Sequence, residues 1–505
     1  MWKDSLLAQK IVKIDYSVHF VALALLVFNI LTINSVDLID WDEGVFALQA
    51  KWLATFGLQG KPFNFQTPPL FPALVALFFK IFGTHDIVPR AISIVFSFLT
   101  LYLLYFFVRD LFTEKEAVYA TILFAITEFF LFFSGSGLSD AFFLFIFLLS
   151  LYLFIQAVRQ NRIGKYLLAT LFVTVAFYTK YSSIMLIFIL FILGMTDRNS
   201  NKKMVIISNL IPVILFIPYL YLFIRLVGIS GISSRHLHLL GFNHLKFLYY
   251  IIAFGLIPGI LSLVYIFSAF TRLTYEDRII LTIILIYLLG LGFYYPYFRL
   301  AYPLIPFLSI LASRFFTTII NRRYRVIILT VSIIVSLWSA SDTLTYTSKV
   351  PEEIGSLSRR YTKENRVNYL ITAVPPNINF YIPGSLTIQE GSDWFRLGKR
   401  FPCVILSRKI LKKEEVLFRP GEQIIIIYSS IFDALEKELS PLIKQAKLLN
   451  EINFIDAPVY YKDIFNPLRN RPQNYRFYLL TLKEPFIYKV WSLSFLPGIN
   501  VFYQE

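Results

Sequence analysis

Between Tyr16 and Ser341 the chain carries one apolar run after another, each of roughly 18 to 25 residues, separated by short polar or charged stretches. As an α-helix rising about 1.5 Å per residue, such a run matches the ~30 Å hydrocarbon core of a bilayer, where the backbone must satisfy its own polar groups. Composition agrees: 57% of the 505 residues are hydrophobic and 16% are charged, against about 25% charged in an ordinary soluble domain. The chain therefore reads as a polytopic α-helical membrane protein. Spans are expected at 16–34, 90–109, 117–134, 141–158, 166–180, 184–196, 204–226, 246–270, 279–298, 300–317 and 326–342, about 11 crossings.

After Asp342 the pattern breaks into short β-like runs, prolines and mixed charges. This divides the chain into a transmembrane domain, 1–342, and a water-exposed α/β domain, 343–505, long enough to fold around its own core. Strands are expected at 367–374, 403–407, 423–428 and 476–482, and a helix at 431–449. The second domain has no glycine-rich phosphate loop and no nucleophile motif, so it is expected to bind an acceptor or to pack over the first. Cys403 is the single cysteine, which excludes an internal disulfide framework and any cysteine-based metal site.

A formal charge of +16 would suggest nucleic acid in a soluble protein. Here the basic residues fall in short loops between apolar runs, as the positive-inside rule expects of cytoplasmic loops, so membrane lipids and not nucleic acid are the expected surroundings. Lys3, Lys10 and Lys13 precede the first run and no small-residue cleavage site follows it, which reads as an uncleaved anchor with a cytoplasmic N-terminus. The stretch 68–83 is apolar but short, opens with prolines and contains Lys80. If it does not cross, the clusters around Arg109, Arg159, Arg198, Arg272 and Arg322 all face the cytoplasm, and if it does they all face outward. It is therefore expected to be interfacial or re-entrant. Three pieces then lie outside: the first loop, 35–89; the turn 134–140; and everything after Asp342. The loop 228–244 also lies outside. It holds Arg235, His236, His238 and His244 without a nearby carboxylate or cysteine, and reads as an ordinary interfacial loop and not as a metal site.

The residues able to do chemistry sit in the outer pieces. The first loop runs Asp37-Leu38-Ile39-Asp40-Trp41-Asp42-Glu43-Gly44. The simplest role for Asp40 or Asp42 is to cap the helix that follows, with Glu43 favourable in its first turn. Asp140, after Ser134-Gly135-Ser136-Gly137, can likewise be a cap. Lys180 and Arg299 interrupt apolar stretches; at a bilayer centre either would cost about 2.5 to 3.5 kcal/mol, but at the outer interface their charges reach water cheaply. Together, carboxylates and cations on one face around a laterally open cavity suit glycosyl transfer from a polyprenyl phosphate. The acceptor hydroxyl needs a carboxylate as general base, whereas the departing phosphate needs a cation.

These residues also carry a resemblance. Asp42-Glu43-Gly44-Val45-Phe46-Ala47, then Thr67-Pro68-Pro69-Leu70, Phe82-Gly83 with Arg90, Asp140 before an aromatic-rich span, Lys180, and Arg299 with Pro303 and Pro306 stand in the order of the GT-C superfamily. The group they resemble contains the protein O-mannosyltransferases and the aminoarabinose transferase of lipid A. The resemblance covers about 40 to 306. It implies inverting transfer from a polyprenyl-phosphate-linked sugar at the outer face; the acceptor is left open among protein, glycolipid and glycan. A bacterial or archaeal plasma membrane is expected because no endoplasmic-reticulum retention signal stands at Tyr503-Gln504-Glu505. Asp42 is similar to the catalytic acidic residue, with Glu43 beside it, and Asp140 to the second acidic residue of the site. Lys180, Arg299 and Arg90 become candidates for the lipid phosphate, and a divalent metal held by Asp42 and Asp140 is left open. One departure stands out: Gln66-Thr67 occupies the place of a Glu-Lys pair in the lipid A enzyme, so a cation expected near the phosphate is missing. A transporter or flippase of a sugar-lipid is the rival reading; it explains the helices and intramembrane charges, but not the acidic outer loop or the large C-terminal segment.

Overall fold

In the computed structural model, which describes residues 14–56, 67–236, 240–365, 369–373, 376–382, 403–406, 415–418, 420–429, 442–454, 473–481, 483 and 486–489, Asp15 opens the first helix. Its carboxylate accepts the Ser17 N–H at 2.8 Å, meeting one of the orphan donors of a helix start. Helix α1 (Tyr16–Thr32) is followed by two outer helices, α2 (Trp41–Phe56) and α3 (Leu70–Phe82). The bundle continues with α4 (Ile87–Leu111), α5 (Glu114–Ala125), α6 (Glu128–Gly135), α7 (Asp140–Gln160), α8 (Ile163–Phe177), α9 (Ile184–Thr196) and α10 (Lys202–His236). It closes with α11 (His244–Phe254), α12 (Leu256–Ala269), α13 (Tyr275–Gly292), α14 (Ile305–Thr318) and α15 (Arg322–Ser339).

Among the described residues, α4, α7, the start of α10 and the stretch Phe298–Thr318 are each long and apolar enough to cross a bilayer. Two further expected spans are bent pairs. The 117–134 run breaks between α5 and α6 by 67°, and the 246–270 run breaks between α11 and α12 by 116°, so neither is a straight rod. The second break sits at Gly255, where an added Cβ would lie 2.8 Å from Ile305 Cδ1; close approach of α14 accounts for the glycine. The remaining expected spans are shorter, as in α1, α8 and α9, or open with several charges, as in α13 and α15.

Helix α3 settles against one face of the bundle. The Leu70 N–H at its start donates to Tyr178 O just past α8 at 3.0 Å, and Asp86, four residues past its end, accepts from Tyr381 OH at 2.7 Å. Tyr381 OH in turn accepts the Leu38 N–H of the first loop. Both ends of α3 are therefore fastened to neighbouring segments, and at 13 residues the helix is shorter than a straight span needs. The loop expected at 228–244 is in part a continuation of α10, which runs to His236; His238 lies outside the described residues. His244 starts α11 against the rings of Phe242 and Phe293.

Aromatic packing fills the bundle. Phe129 and Phe133 of α6 meet Phe254 of α11, Phe298 and Tyr302, with ring centroids 4.6 Å apart for Phe129–Phe254 and Phe133–Tyr302. Such offset and tilted pairs add to plain burial, and here they seat the 298–304 turn between helices.

Beyond α15 the described residues make α16 (Ser341–Thr345), α17 (Val350–Glu364) and α18 (Pro376–Asn379) and seven strands. Strands β1 (Tyr369–Ala373), β2 (Cys403–Leu406), β4 (Gln423–Ser429), β5 (Lys447–Phe454) and β6 (Gln473–Thr481) form a sheet in the order β2-β1-β4-β6-β5, while β3 (Glu415–Phe418) pairs with β7 (Phe486–Lys489). Within the five-stranded sheet β1 and β4 are parallel and the other pairs antiparallel. Ile354 and Ile378 pack on Ile425, Ile427, Tyr475 and Phe477, so the helices cover one face of the sheet. The four expected strands are present within a few residues. The helix expected at 431–449 is not supported at its end: 430–441 lie outside the described residues, and Lys447–Phe454 is β5, paired with β6. Only Ile452-Asn453-Phe454 alternates, and the register shifts between Leu448 and Asn450, so pairing with β6 rather than a clean period of two defines this strand.

Candidate active site

Asp40 caps α2: its Oδ1 accepts the Asp42 N–H at 2.6 Å. Glu43 reaches back, its Oε2 accepting the N–H groups of Ile39 at 2.7 Å and Asp40 at 3.0 Å. This reciprocal arrangement is a capping box with aspartate as its first member, and it fixes the turn on which Asp42 stands.

Opposite this turn, prolines shape a second element. Pro296 and Pro303 interrupt the helical ladder before α14, because each lacks a donor and limits the residue before it, while Pro306 sits in the first turn of α14, where no N–H is needed. The result is a 3-10 segment, Phe298–Leu304, that carries Arg299 into the interior, where it is 2% exposed. Arg299 Nη1 donates to Asp42 Oδ2 at 2.5 Å, while Nε and Nη2 reach Asp140 Oδ2 at 3.0 and 2.6 Å. Asp40 Oδ1 lies 3.7 Å from the same guanidinium. Asp140 begins α7 but caps nothing; its other oxygen, Oδ1, takes Lys180 Nζ at 2.5 Å. Lys180 stands in extended backbone at the break between α8 and the Tyr181–Ser183 turn, which turns its side chain toward Asp140. The structure thus brings together four of the six expected residues, Asp42, Asp140, Lys180 and Arg299, and adds Asp40, which the sequence offers only as a cap.

Within this cluster three carboxylates face two cations. Asp40 and Asp140 are buried, whereas the Asp42 side chain is 36% exposed, and among the described residues nothing donates to its Oδ1. Lys180 is the more accessible cation, its side chain 17% exposed against 3% for Arg299.

The remaining two expected residues turn elsewhere. Glu43 Oε1 accepts the Gly137 N–H at 2.5 Å, so one buried carboxylate joins the first loop to the turn before Asp140. Burial dominates its titration and lifts its pKa to about 7, against the pull of those N–H bonds and Arg90. Gly137 has little room: a Cβ there would lie 3.3 Å from Leu38 Cδ2. Arg90 donates to Gly135 O at 2.9 Å and to the carbonyls of Ile33 and Val36. It ties the end of α1 to the same turn through bonds from Nε and Nη1 to backbone carbonyls. At the departure before the double proline, Gln66 lies outside the described residues, while Thr67 Oγ1 donates to Gln49 and its carbonyl accepts from Tyr219 OH.

With this geometry in hand, comparison with known proteins gives a consistent picture. Residues 66–222 match the profile of the dolichyl-phosphate-mannose-protein mannosyltransferase family. ArnT from Cupriavidus metallidurans, solved bound to undecaprenyl phosphate, superposes with a TM-score of 0.62 at 13% identity, covering 91% of this chain and 97% of that one. Its apo structure gives the same values. This chain has the GT-C fold. The likeness to ArnT is one of fold, and the profile match covers the residues 66–222 within it. The oligosaccharyltransferase of Archaeoglobus fulgidus aligns less well, with a TM-score of 0.49 over 68% of this chain at 14% identity. No curated protein sequence matches.

The GT-C resemblance leaves open a metal between Asp42 and Asp140. The donor set does not fit one. A guanidinium already stands between the two carboxylates at hydrogen-bond distance from both, and among the described residues no three His, Cys, Asp or Glu side chains converge as a metal site requires. Arginine and lysine meet two of the three local negative charges instead.

Proposed function

We propose that this GT-C protein is an inverting glycosyltransferase that moves a sugar from a polyprenyl-phosphate donor to an acceptor hydroxyl at the extracytoplasmic face, with Asp42 as general base. The observation that carries the reading is the Asp42 carboxylate, partly exposed and with one oxygen unclaimed, held at the edge of a buried ion cluster. In the proposed step Asp42 takes the acceptor proton as the acceptor oxygen attacks the anomeric carbon. The bond from that carbon to the phosphate oxygen breaks on the opposite side, inverting the configuration, and the lipid phosphate leaves with the electron pair. Phosphate is a competent leaving group once a cation meets its charge, so no general acid is needed. Lys180, the more accessible cation, takes that role; Arg299 holds Asp42 and Asp140 in register; and Glu43 and Arg90 hold the loops that carry them. ArnT bound to undecaprenyl phosphate supports the lipid class of donor, and the mannosyltransferase profile supports a hexose. The segment after Asp342 stands over the site as a separate extracytoplasmic domain.

Mass spectrometry of lipids co-purifying with the wild type and with Asp42→Asn tests this. The expected result is a polyprenyl phosphate with the wild type and enrichment of its sugar adduct in the variant. Ordinary phospholipids alone in both samples would move the weight to a transporter.

A further inference from the structure

The strand of chain that leads into Asp42 is held largely from outside its own loop. The Asp37 N–H donates to Ser348 O at 2.9 Å and the Ser348 N–H to Ser35 O at 3.1 Å, a single parallel bridge between the first loop and the chain after α16. The buried Asp37 carboxylate accepts Lys349 Nζ at 2.8 Å and the Glu352 N–H at 2.7 Å. One residue on, the Leu38 N–H donates to Tyr381 OH at 3.0 Å. Asn377 Nδ2 then donates to the carbonyls of both Leu38 and Ile39, each at 3.2 Å. From Ile39 onward the loop's own capping box takes over.

Leu38, Asp40 and Asn377 are buried, at 0%, 1% and 4% exposure, so a lost partner here is not replaced by water. Tyr381 OH passes its own proton to Asp86 at 2.7 Å; burial first, then the Asp86 carboxylate, push its pKa far above the ordinary phenol value, so it remains a donor. The path of the backbone into Asp42 is therefore set by two side chains some 340 positions away in sequence.

We propose that Asn377 and Tyr381 are positioning residues that hold Leu38 and Ile39, and through them the Asp42 carboxylate, in working register with Arg299. The inference rests on the transferase reading and gives the segment after the last span a role inside the catalytic unit. A shift of about 1 Å in a catalytic group can cost on the order of a hundredfold in rate, so the expected signature is a fall in kcat without loss of donor binding.

The test uses the full chain in lipid nanodiscs, with dolichyl-phosphate mannose and undecaprenyl-phosphate aminoarabinose as donor probes and a membrane extract as acceptor, following release of polyprenyl phosphate. Asn377→Ala, the isosteric Asn377→Asp, which cannot donate when ionised, and Tyr381→Phe are compared with Arg360→Ala, which breaks an exposed pair on α17. Expected in the first three are a kcat lowered about 10- to 100-fold, a donor KM within twofold of wild type, and faster amide exchange at 37–42, with a melting temperature lowered but the protein still folded at the assay temperature, so that loss of folded protein does not account for the rate. Arg360→Ala should match wild type throughout. Wild-type kcat in both Asn377→Asp and Tyr381→Phe would overturn the inference, as would a melting loss that accounts for the whole rate effect. A wild-type protein that releases no polyprenyl phosphate from either donor would instead overturn the transferase reading, and this inference with it.

Discussion

Two arginines lie on the same 298–318 stretch, one near each end, and each gathers carboxylates from other helices. Arg314 holds Asp277 of α13 at 3.1 Å and Glu116 of α5 at 2.9 Å. Every acid oxygen there is busy: Asp277 Oδ2 also accepts from Tyr265 OH and from the N–H and hydroxyl of Thr274, and Glu116 accepts from the hydroxyls of Thr317 and Thr113. One cation meets two anions, both buried, and neutral donors supply the balance. At the other end Arg299 meets three carboxylates with Lys180 as its only basic neighbour among the described residues, and one of the three looks out toward water with an oxygen to spare. A closed ion network joins helices. An open one, with an acid left over at the surface, is a place where something else is meant to bind.

The sharpest way to break this contrast is Asp42→Asn. Transfer should fall about 10³-fold or more, the range of a lost general base, while the melting temperature stays within a degree or two, because the amide can still accept from Arg299; near-normal turnover would remove Asp42 from the chemistry. The converse substitution, Arg314→Met, strands two buried carboxylates and should destabilise the fold by about 3–5 kcal/mol, read as a lower melting temperature, while the protein that remains folded transfers at the wild-type rate. Parity in stability would mean the inner network is not structural. Lys180→Met should weaken donor use about tenfold, as a charge-assisted hydrogen bond of about 1.5 kcal/mol would, seen as a higher KM for the polyprenyl donor; an unchanged KM would pass the phosphate role to another cation.

The smallest effect concerns Glu43. Its pKa is raised from the ordinary carboxylate range to about 7, so the folded state holds a proton that the unfolded state has released. Its contribution is therefore full below about pH 4.5 and is lost as pH rises through about 7. The melting-temperature gap between wild type and Glu43→Gln should be wider at pH 5 than at pH 9; a gap independent of pH would contradict the burial that sets this pKa.

Much of the site face is legible in the amino-acid sequence. Asp42, Asp140, Lys180 and Arg299 each break an apolar pattern, and a charge at the end of an apolar run needs a reason, so the residues can be found one at a time. The shortness of α3 is likewise readable from its flanking prolines and Lys80. Partnership is what a linear pattern does not carry. Arg314 counts there only as one more cytoplasmic charge, because Glu116 and Asp277 sit in first turns where acids are expected for the helix dipole alone. Asp40 looks like a cap and is one; its place beside Arg299 depends on where the 298–304 turn arrives. Glu43 and Arg90 group with the site by proximity in sequence, yet both bond to backbone. Asn377 and Tyr381 carry no local signal, since a buried amide or phenol is recognisable only by what it touches. Strand β5 escapes notice because little of it alternates and it lies beside a stretch with a helical look; pairing with β6 defines it.

The bridge between Ser348 and the first loop also has a consequence for how the protein is made. The segment carrying Asp42 leaves the ribosome well before its anchors at Lys349, Asn377 and Tyr381, which come more than three hundred residues later. At roughly 5–20 residues per second, the loop waits tens of seconds, crossing helices accumulating behind it, before the chain that completes it exists. The helical bundle can therefore assemble well before the first loop is set, and a chain cut short before Lys349 would leave Asp37, Leu38 and Ile39 without these partners.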